Sequence, residues 1–87
     1  MKIRTDRNAV YFSREKVIES IMQEARILNL HPGAVELYAD KVADQVERWA
    51  RRRSAITQQD LDRQIAKALE VYNTDLAYVY KNRGKII

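Results

Sequence analysis

The sequence contains no cysteine and only one histidine, and this scarcity excludes several kinds of site. Without cysteine the chain forms no disulfide, no thiolate metal site and no thiol nucleophile. His31 stands beside Pro32 with no second histidine to complete a metal site or a nucleophile pair, so we expect it to lie in a turn or to cap a helix. The common phosphate-loop, dinucleotide and metalloprotease motifs are also missing. We therefore expect no catalytic residues and no metal ligands, and predict that the protein is not an enzyme.

Glycine and proline are scarce as well, with two and one copies, so periodicity and helix caps must set the boundaries of the elements. No apolar run approaches the roughly 18 residues needed to span a bilayer. Met1 is followed by a charged segment rather than by the apolar stretch of a signal peptide. We expect one domain over residues 1–87 in a soluble, cytoplasmic protein.

Charge of one sign does not dominate, since 16 basic and 12 acidic residues leave a net charge of +4. This excess favours an anionic partner, but both signs alternate along every predicted helix, unlike the one-sided stripe of a dedicated nucleic-acid binder. Arg51, Arg52 and Arg53 close a long helix, where cations complement the helix dipole, and this structural role is sufficient to explain them. Nucleic acid is therefore not the expected partner.

The order of apolar and capping residues predicts a mainly α fold, an N-terminal β-hairpin followed by a four-helix cluster. The hairpin covers residues 2–12, with strands at 2–4 and 9–12 around a turn at Asp6 and Arg7. Ser13, Thr57 and Thr74 are the expected N-caps. The predicted helices cover about 14–29, 33–53, 58–73 and 75–83.

Helical spacing also predicts the core. Apolar residues recur three and four positions apart along each predicted helix, which places them on one buried face. The first helix should bury Val17, Ile21, Ala25 and Leu28. The others should bury Val35, Ala39, Val42, Val46, Trp49, Leu61, Ile65, Ala68, Leu69, Tyr72, Leu76, Ala77 and Tyr80.

Four basic residues, Arg4, Arg7, Arg14 and Lys16, lie where the hairpin meets the first helix. The free N–H groups and dipole of a helix start also favour negative charge there. A polyanion such as a nucleoside triphosphate would fit this junction. A solvated surface of mutually repelling charges is an equally good reading of the same residues.

The same order of signals resembles the ATP-cone, a regulatory domain at the N-terminus of many ribonucleotide reductases. The family pattern of basic residues, Asp, a short strand and Lys-Ile is similar to the segment from Arg4 through Asp6 and Phe12 to Lys16-Val17. Ile56-Thr57-Gln58-Gln59-Asp60-Leu61 resembles the opening of the family's third helix. Ala77 to Tyr80 resembles its closing Ala-x-x-Tyr.

The resemblance implies that ATP or dATP, with associated Mg²⁺, binds between the hairpin and the helix starts and regulates a partner such as ribonucleotide reductase. Arg4 and Lys16 would contact phosphates, Ser13 would face the nucleotide as a cap, and Val17 would pack on the base or sugar. Gln58 and Asp62 would contact adenine or ribose. The chain departs from the family in four places: Arg7 replaces the turn glycine, Thr5 replaces one basic residue, Val10 stands where some members have a polar contact, and Arg83 occupies the slot of the second closing aromatic residue.

Two other functions remain open at this point. A degenerate ATP-cone that no longer binds nucleotide could act as a protein interaction module, with a protein partner or as a homo-oligomer. Alternatively, a long middle helix followed by Ile-Thr-x-x-Asp-Leu resembles the histone fold, which would make the chain a small basic DNA-binding helical protein. The hairpin and the fourth helix have no place in that second alternative.

Overall fold

The computed structural model describes residues 9–83. Four helices and one short antiparallel ladder make up this part of the chain, which confirms the mainly α prediction. The elements are β1 (Ala9–Val10), α1 (Arg14–Ile27), α2 (Pro32–Arg51), β2 (Ile56–Thr57), α3 (Gln58–Leu69) and α4 (Thr74–Asn82). None of the helices within 9–83 combines the length and the apolar character that a membrane span requires.

Local capping explains where three of the helices begin. The Ser13 hydroxyl accepts from the Lys16 N–H at 3.3 Å, and the Thr57 hydroxyl accepts from the Asp60 N–H at 3.1 Å. His31 caps α2 through Nδ1, which accepts from the Gly33 N–H, so the prediction of a cap role for His31 is confirmed. These side chains satisfy N–H groups that have no partner within their own helix.

The partner of β1 is a segment that the sequence analysis did not predict. Ala9 pairs with Thr57, and Val10 pairs with Ile56. The first predicted hairpin strand at 2–4 and the turn at Asp6 and Arg7 lie outside the described residues. The ladder therefore connects the chain just before α1 to the chain just before α3.

The predicted apolar faces form one core in which α2 packs against both α1 and α3. Ile21, Ala39, Val42, Leu69 and Leu76 are inaccessible to solvent. Three predicted core positions are only partly covered: Leu28 and Trp49 lie at the edge of the core, and Tyr72 is 41% exposed and stacks on Tyr38 with ring centroids 5.5 Å apart. The fourth helix packs on α3 and α1, which weighs against the histone-like alternative.

The prediction for the start of α4 was wrong by one residue. Asn73, not Thr74, is the N-cap, and its side-chain oxygen accepts from the Leu76 N–H at 3.0 Å. The extended backbone of Asn73 is incompatible with the predicted continuation of the third helix to residue 73, and α3 ends at Leu69 with Glu70 as its C-cap. The linking turn is closed by the N–H groups of Tyr72 and Asn73, which donate to the Leu69 carbonyl.

Substitution of the two neighbouring candidates will distinguish the caps. Asn73→Ala should lower the free energy of unfolding by about 1 kcal/mol, because the Leu76 N–H loses its acceptor. Thr74→Ala is the matched control and should change stability by less than about 0.5 kcal/mol, since Thr74 is an exposed first-turn residue. Urea denaturation measures both. A larger loss in Thr74→Ala than in Asn73→Ala would contradict the assignment.

Candidate functional site

A chain of polar contacts connects α1, α4 and α3 at one end of the helix cluster. Ser20 Oγ lies 2.8 Å from Tyr80 Oη, and the Arg83 guanidinium lies over the Tyr80 ring, 4.2 Å from its centroid. Arg83 donates to Asp62 Oδ1 at 3.0 Å, and Gln58 Nε2 donates to the same oxygen at 2.8 Å. We call these five residues the three-helix network. It unites Gln58 and Asp62, two of the predicted site residues, with the face of α1.

The direction of the hydrogen bond at its centre follows from proton counting. The Ser20 hydroxyl has a single proton, and it donates that proton to the Val17 carbonyl at 2.7 Å. Tyr80 must therefore donate to Ser20 Oγ. Burial raises the pKa of the Tyr80 phenol above its ordinary value of 10.0, and this effect exceeds the opposing effect of the Arg83 charge.

Lys16 lies at the start of α1 and is exposed to solvent. Because Lys16 precedes Ser20 by four residues, both lie on the same face of the helix, with Lys16 one turn nearer the N-terminus. The fold therefore places this lysine on the side of α1 that carries the three-helix network. Ser13, one turn further, has its hydroxyl engaged as the cap.

The expectation that Val17 packs on a ligand is wrong. Val17 is 4% exposed and belongs to the hydrophobic core, so it has no free surface for a base or sugar. The apolar periodicity of the first helix predicted this burial, and a buried side chain offers no contact surface to a ligand. Arg4 and Arg7 lie outside the described residues, and their predicted role is not tested.

Arg14 does not join a cluster of free cations at the helix start. Its guanidinium contacts the carboxylates of Asp40 and Asp44 on α2 and lies 3.8 Å from that of Glu47. The hydrogen bond to Asp44, followed by that to Asp40, raises the pKa of Arg14 above its ordinary value. Because acidic side chains surround Arg14, its charge binds α1 to α2 and is not available to a phosphate.

A cavity of about 470 Å³ lies between α3 and α4 beside the three-helix network. Asp62 and Arg83 form part of its lining, with the buried side chains of Ala66 and Ala77. The sequence analysis missed Lys67, Tyr78 and Lys81, which complete a basic and aromatic rim. The spacing of Asp62, Ala66 and Glu70 by four residues marks the α3 face, but only the contact with α4 shows that this face is a wall of a cavity.

Within residues 9–83 no group of three or more acidic or histidine side chains is placed to hold a metal ion. Of the Asp62 carboxylate oxygens, Oδ1 accepts from both Gln58 and Arg83.

No protein-family model, curated protein or solved structure matches this chain.

Removal of the Tyr80 hydroxyl tests the network. Tyr80→Phe keeps the buried ring but removes the hydrogen bond to Ser20, so the free energy of unfolding should fall by about 0.5–1.5 kcal/mol. Tyr78→Phe, in which the altered ring is 70% exposed, is the control and should be nearly neutral. Urea denaturation at neutral pH provides the comparison.

The pH dependence of the stability of wild type and of Tyr80→Phe gives a second test. Because folding raises the pKa of Tyr80, the phenol ionises first in the unfolded chain as the pH rises. The contribution of Tyr80 to stability is therefore lost above about pH 10. The stability difference between wild type and Tyr80→Phe should therefore shrink above this pH. A difference that widened there would contradict the raised pKa.

Arg14→Gln should lower the midpoint of thermal unfolding, because three carboxylates on α2 lose their shared cation. The loss should be greater at low ionic strength and decrease as salt screens these charges. Arg51→Gln is the matched control, since Arg51 contacts only one of these acids, Glu47, and is 73% exposed. Equal losses in both variants would contradict the structural role of Arg14.

Proposed function

We propose that this domain binds ATP or dATP, without turnover, and transmits binding to a partner. The observation that supports it best is the three-helix network, which joins Gln58 and Asp62 at the start of α3 to Ser20 on α1, one helical turn after Lys16. The ATP-cone resemblance assigns phosphate contacts to Lys16 and adenine or ribose contacts to the other two. A cavity of about 470 Å³ beside them is within the usual size range of small-ligand sites.

Each part of the nucleotide has chemically suitable neighbours at this corner. The Lys16 ammonium is exposed at the start of a 14-residue helix, where the helix dipole adds to its attraction for phosphates. The Gln58 amide and Asp62 carboxylate match the hydrogen-bonding groups of adenine and ribose. The alanine floor and the exposed Tyr78 ring offer an apolar face to a base.

The absence of turnover in this proposal follows from the state of Asp62. Hydrolysis needs a group that orients the attacking water and a metal held in line with the phosphates. Asp62 is neutralised by Arg83 and hydrogen-bonded by Gln58, so it is suited to recognition rather than to activating water.

Regulation would act through the same contacts. A ribose hydroxyl that donates to the Asp62 carboxylate competes with Arg83, which in turn lies over the Tyr80 ring, and Tyr80 is hydrogen-bonded to Ser20 on α1. Binding would therefore favour a different arrangement of three helices, which is the differential contact that an allosteric signal requires. Leu37 and Val71, which are 71% and 80% exposed, provide apolar surface for a partner protein such as ribonucleotide reductase.

This exposed surface also supports a second candidate function. A domain of the same fold that lacks nucleotide affinity would act as an interaction module, through a protein partner or a second copy. Ligand binding separates the two, since only the first function predicts a nucleotide effect.

Calorimetry with ATP, dATP, ADP, AMP and GTP provides the test. We expect micromolar binding of ATP or dATP with Mg²⁺, and Lys16→Ala should weaken it by about 1.5–3 kcal/mol through loss of a charge-assisted hydrogen bond. Lys41→Ala is the control, because Lys41 is also an exposed lysine but lies in the middle of α2 rather than at a helix start. No heat with any adenine nucleotide at millimolar concentration would contradict the sensor and support the interaction module.

A further inference from the structure

The C-terminal turns of α2 and the loop after them form a basic groove on the outside of the helix cluster. Gln45, Arg48 and Arg52 are spaced by three and four residues, so they lie on one face of α2. The loop folds back beside this face and adds Arg53 and Ser54. Together with Trp49 these residues line a groove of about 720 Å³, which we call the arginine groove.

The charges of the arginine groove are not neutralised by the described part of the chain. Arg51, which points elsewhere, contacts Glu47 at 3.1 Å. Within residues 9–83 no carboxylate oxygen lies within 4.0 Å of the guanidinium nitrogens of Arg48, Arg52 or Arg53. Arg48 and Arg52 are also like charges four residues apart, an arrangement that weakens a helix. Helix-end complementarity alone does not account for three arginines on one groove that have no carboxylate partner among residues 9–83.

Aromatic rings accompany these cations. The Arg53 guanidinium lies over the Trp49 ring, 4.9 Å from its centroid, and both residues line the groove. A second cavity of about 430 Å³ shares Arg53, Ser54 and Ala55 with the arginine groove and continues to β1. Tyr11 lines this extension and is 98% exposed. A fully exposed tyrosine beside a basic groove has no role in the core.

We propose that the arginine groove and Tyr11 bind single-stranded nucleic acid, with the arginines on successive phosphates and Tyr11 stacked on a base. Arginine recognises phosphate oxygens through its planar donors, and exposed aromatic rings stack on bases that a duplex would keep covered. This site uses none of the residues proposed for ATP. The expectation from sequence that nucleic acid is not a partner rested on charge mixing along the helices, whereas the fold collects unpaired arginines in space.

Fluorescence anisotropy with labelled ten-nucleotide single strands of DNA and of RNA tests the proposal. We expect micromolar binding at low salt, with log K falling against log salt with a slope of about 2 for three phosphate contacts. The relative affinities of the two strands identify which nucleic acid is preferred. A blunt-ended duplex of the same length should bind with lower affinity than the single strands.

Charge-matched variants identify the site. The double substitution Arg48→Gln and Arg52→Gln should weaken binding at least tenfold, whereas Arg26→Gln with Arg63→Gln removes the same charge elsewhere and should change it less than threefold. All four arginines are exposed, and circular dichroism with urea denaturation will verify that both proteins fold equally well. Equal weakening by the two pairs would show attraction to net charge alone and would overturn the groove as the site.

Two further variants test the stacking role of Tyr11 and the independence of the arginine groove from the proposed ATP site. Tyr11→Ser should weaken the oligonucleotide several-fold but leave inorganic polyphosphate unaffected, because only the oligonucleotide has bases. Lys16→Ala should leave oligonucleotide binding unchanged, whatever its effect on ATP. The proposal would be overturned if Tyr11→Ser had no effect or if the duplex bound more tightly than the single strands. It would also be overturned if Lys16→Ala weakened oligonucleotide binding as much as Arg48→Gln with Arg52→Gln.

Discussion

The antiparallel pairing of Val10 with Ile56 is the constraint on which both candidate sites depend. Two residues of ladder contribute little stability by themselves, but Ile56 is 6% exposed and Val10 packs against the core, so burial of apolar surface fixes the pairing. The ladder sets where the chain enters α1 and α3. It also holds the loop after α2 beside Tyr11, and thereby continues the arginine groove to an exposed aromatic ring.

Features that depend on neighbouring residues were predictable from the sequence. Ser13 and Thr57 cap their helices because a capping oxygen and the N–H group it accepts from are only three residues apart. The apolar stripes were predictable for the same reason. The start of α4 was missed because Asn73 and Thr74 both suit a cap, and the choice between them depends on where α3 can end.

Features that depend on long-range contact were not predictable. Arg14 lies 26 and 30 residues from Asp40 and Asp44, so no local pattern shows that its charge is neutralised. The same holds for Asp62 and Arg83, which lie 21 residues apart. Residue type and position suggested a phosphate site at Arg14, whereas tertiary packing assigned that residue to the interface of α1 and α2.

The positions of the acidic residues along α2 link the neutralisation of Arg14 to the positive charge of the arginine groove. Asp40, Asp44 and Glu47 are the acids that helical spacing would offer to arginines further along the helix, and Asp44 precedes Arg48 by four residues. Arg14, arriving from α1, takes the carboxylates of Asp40 and Asp44. Arg48 is consequently left without its local partner. The ion pairs that fasten α1 to α2 thus leave positive charge unbalanced at the far end of α2, which is why a chain with charges so evenly mixed in sequence presents a basic groove in space.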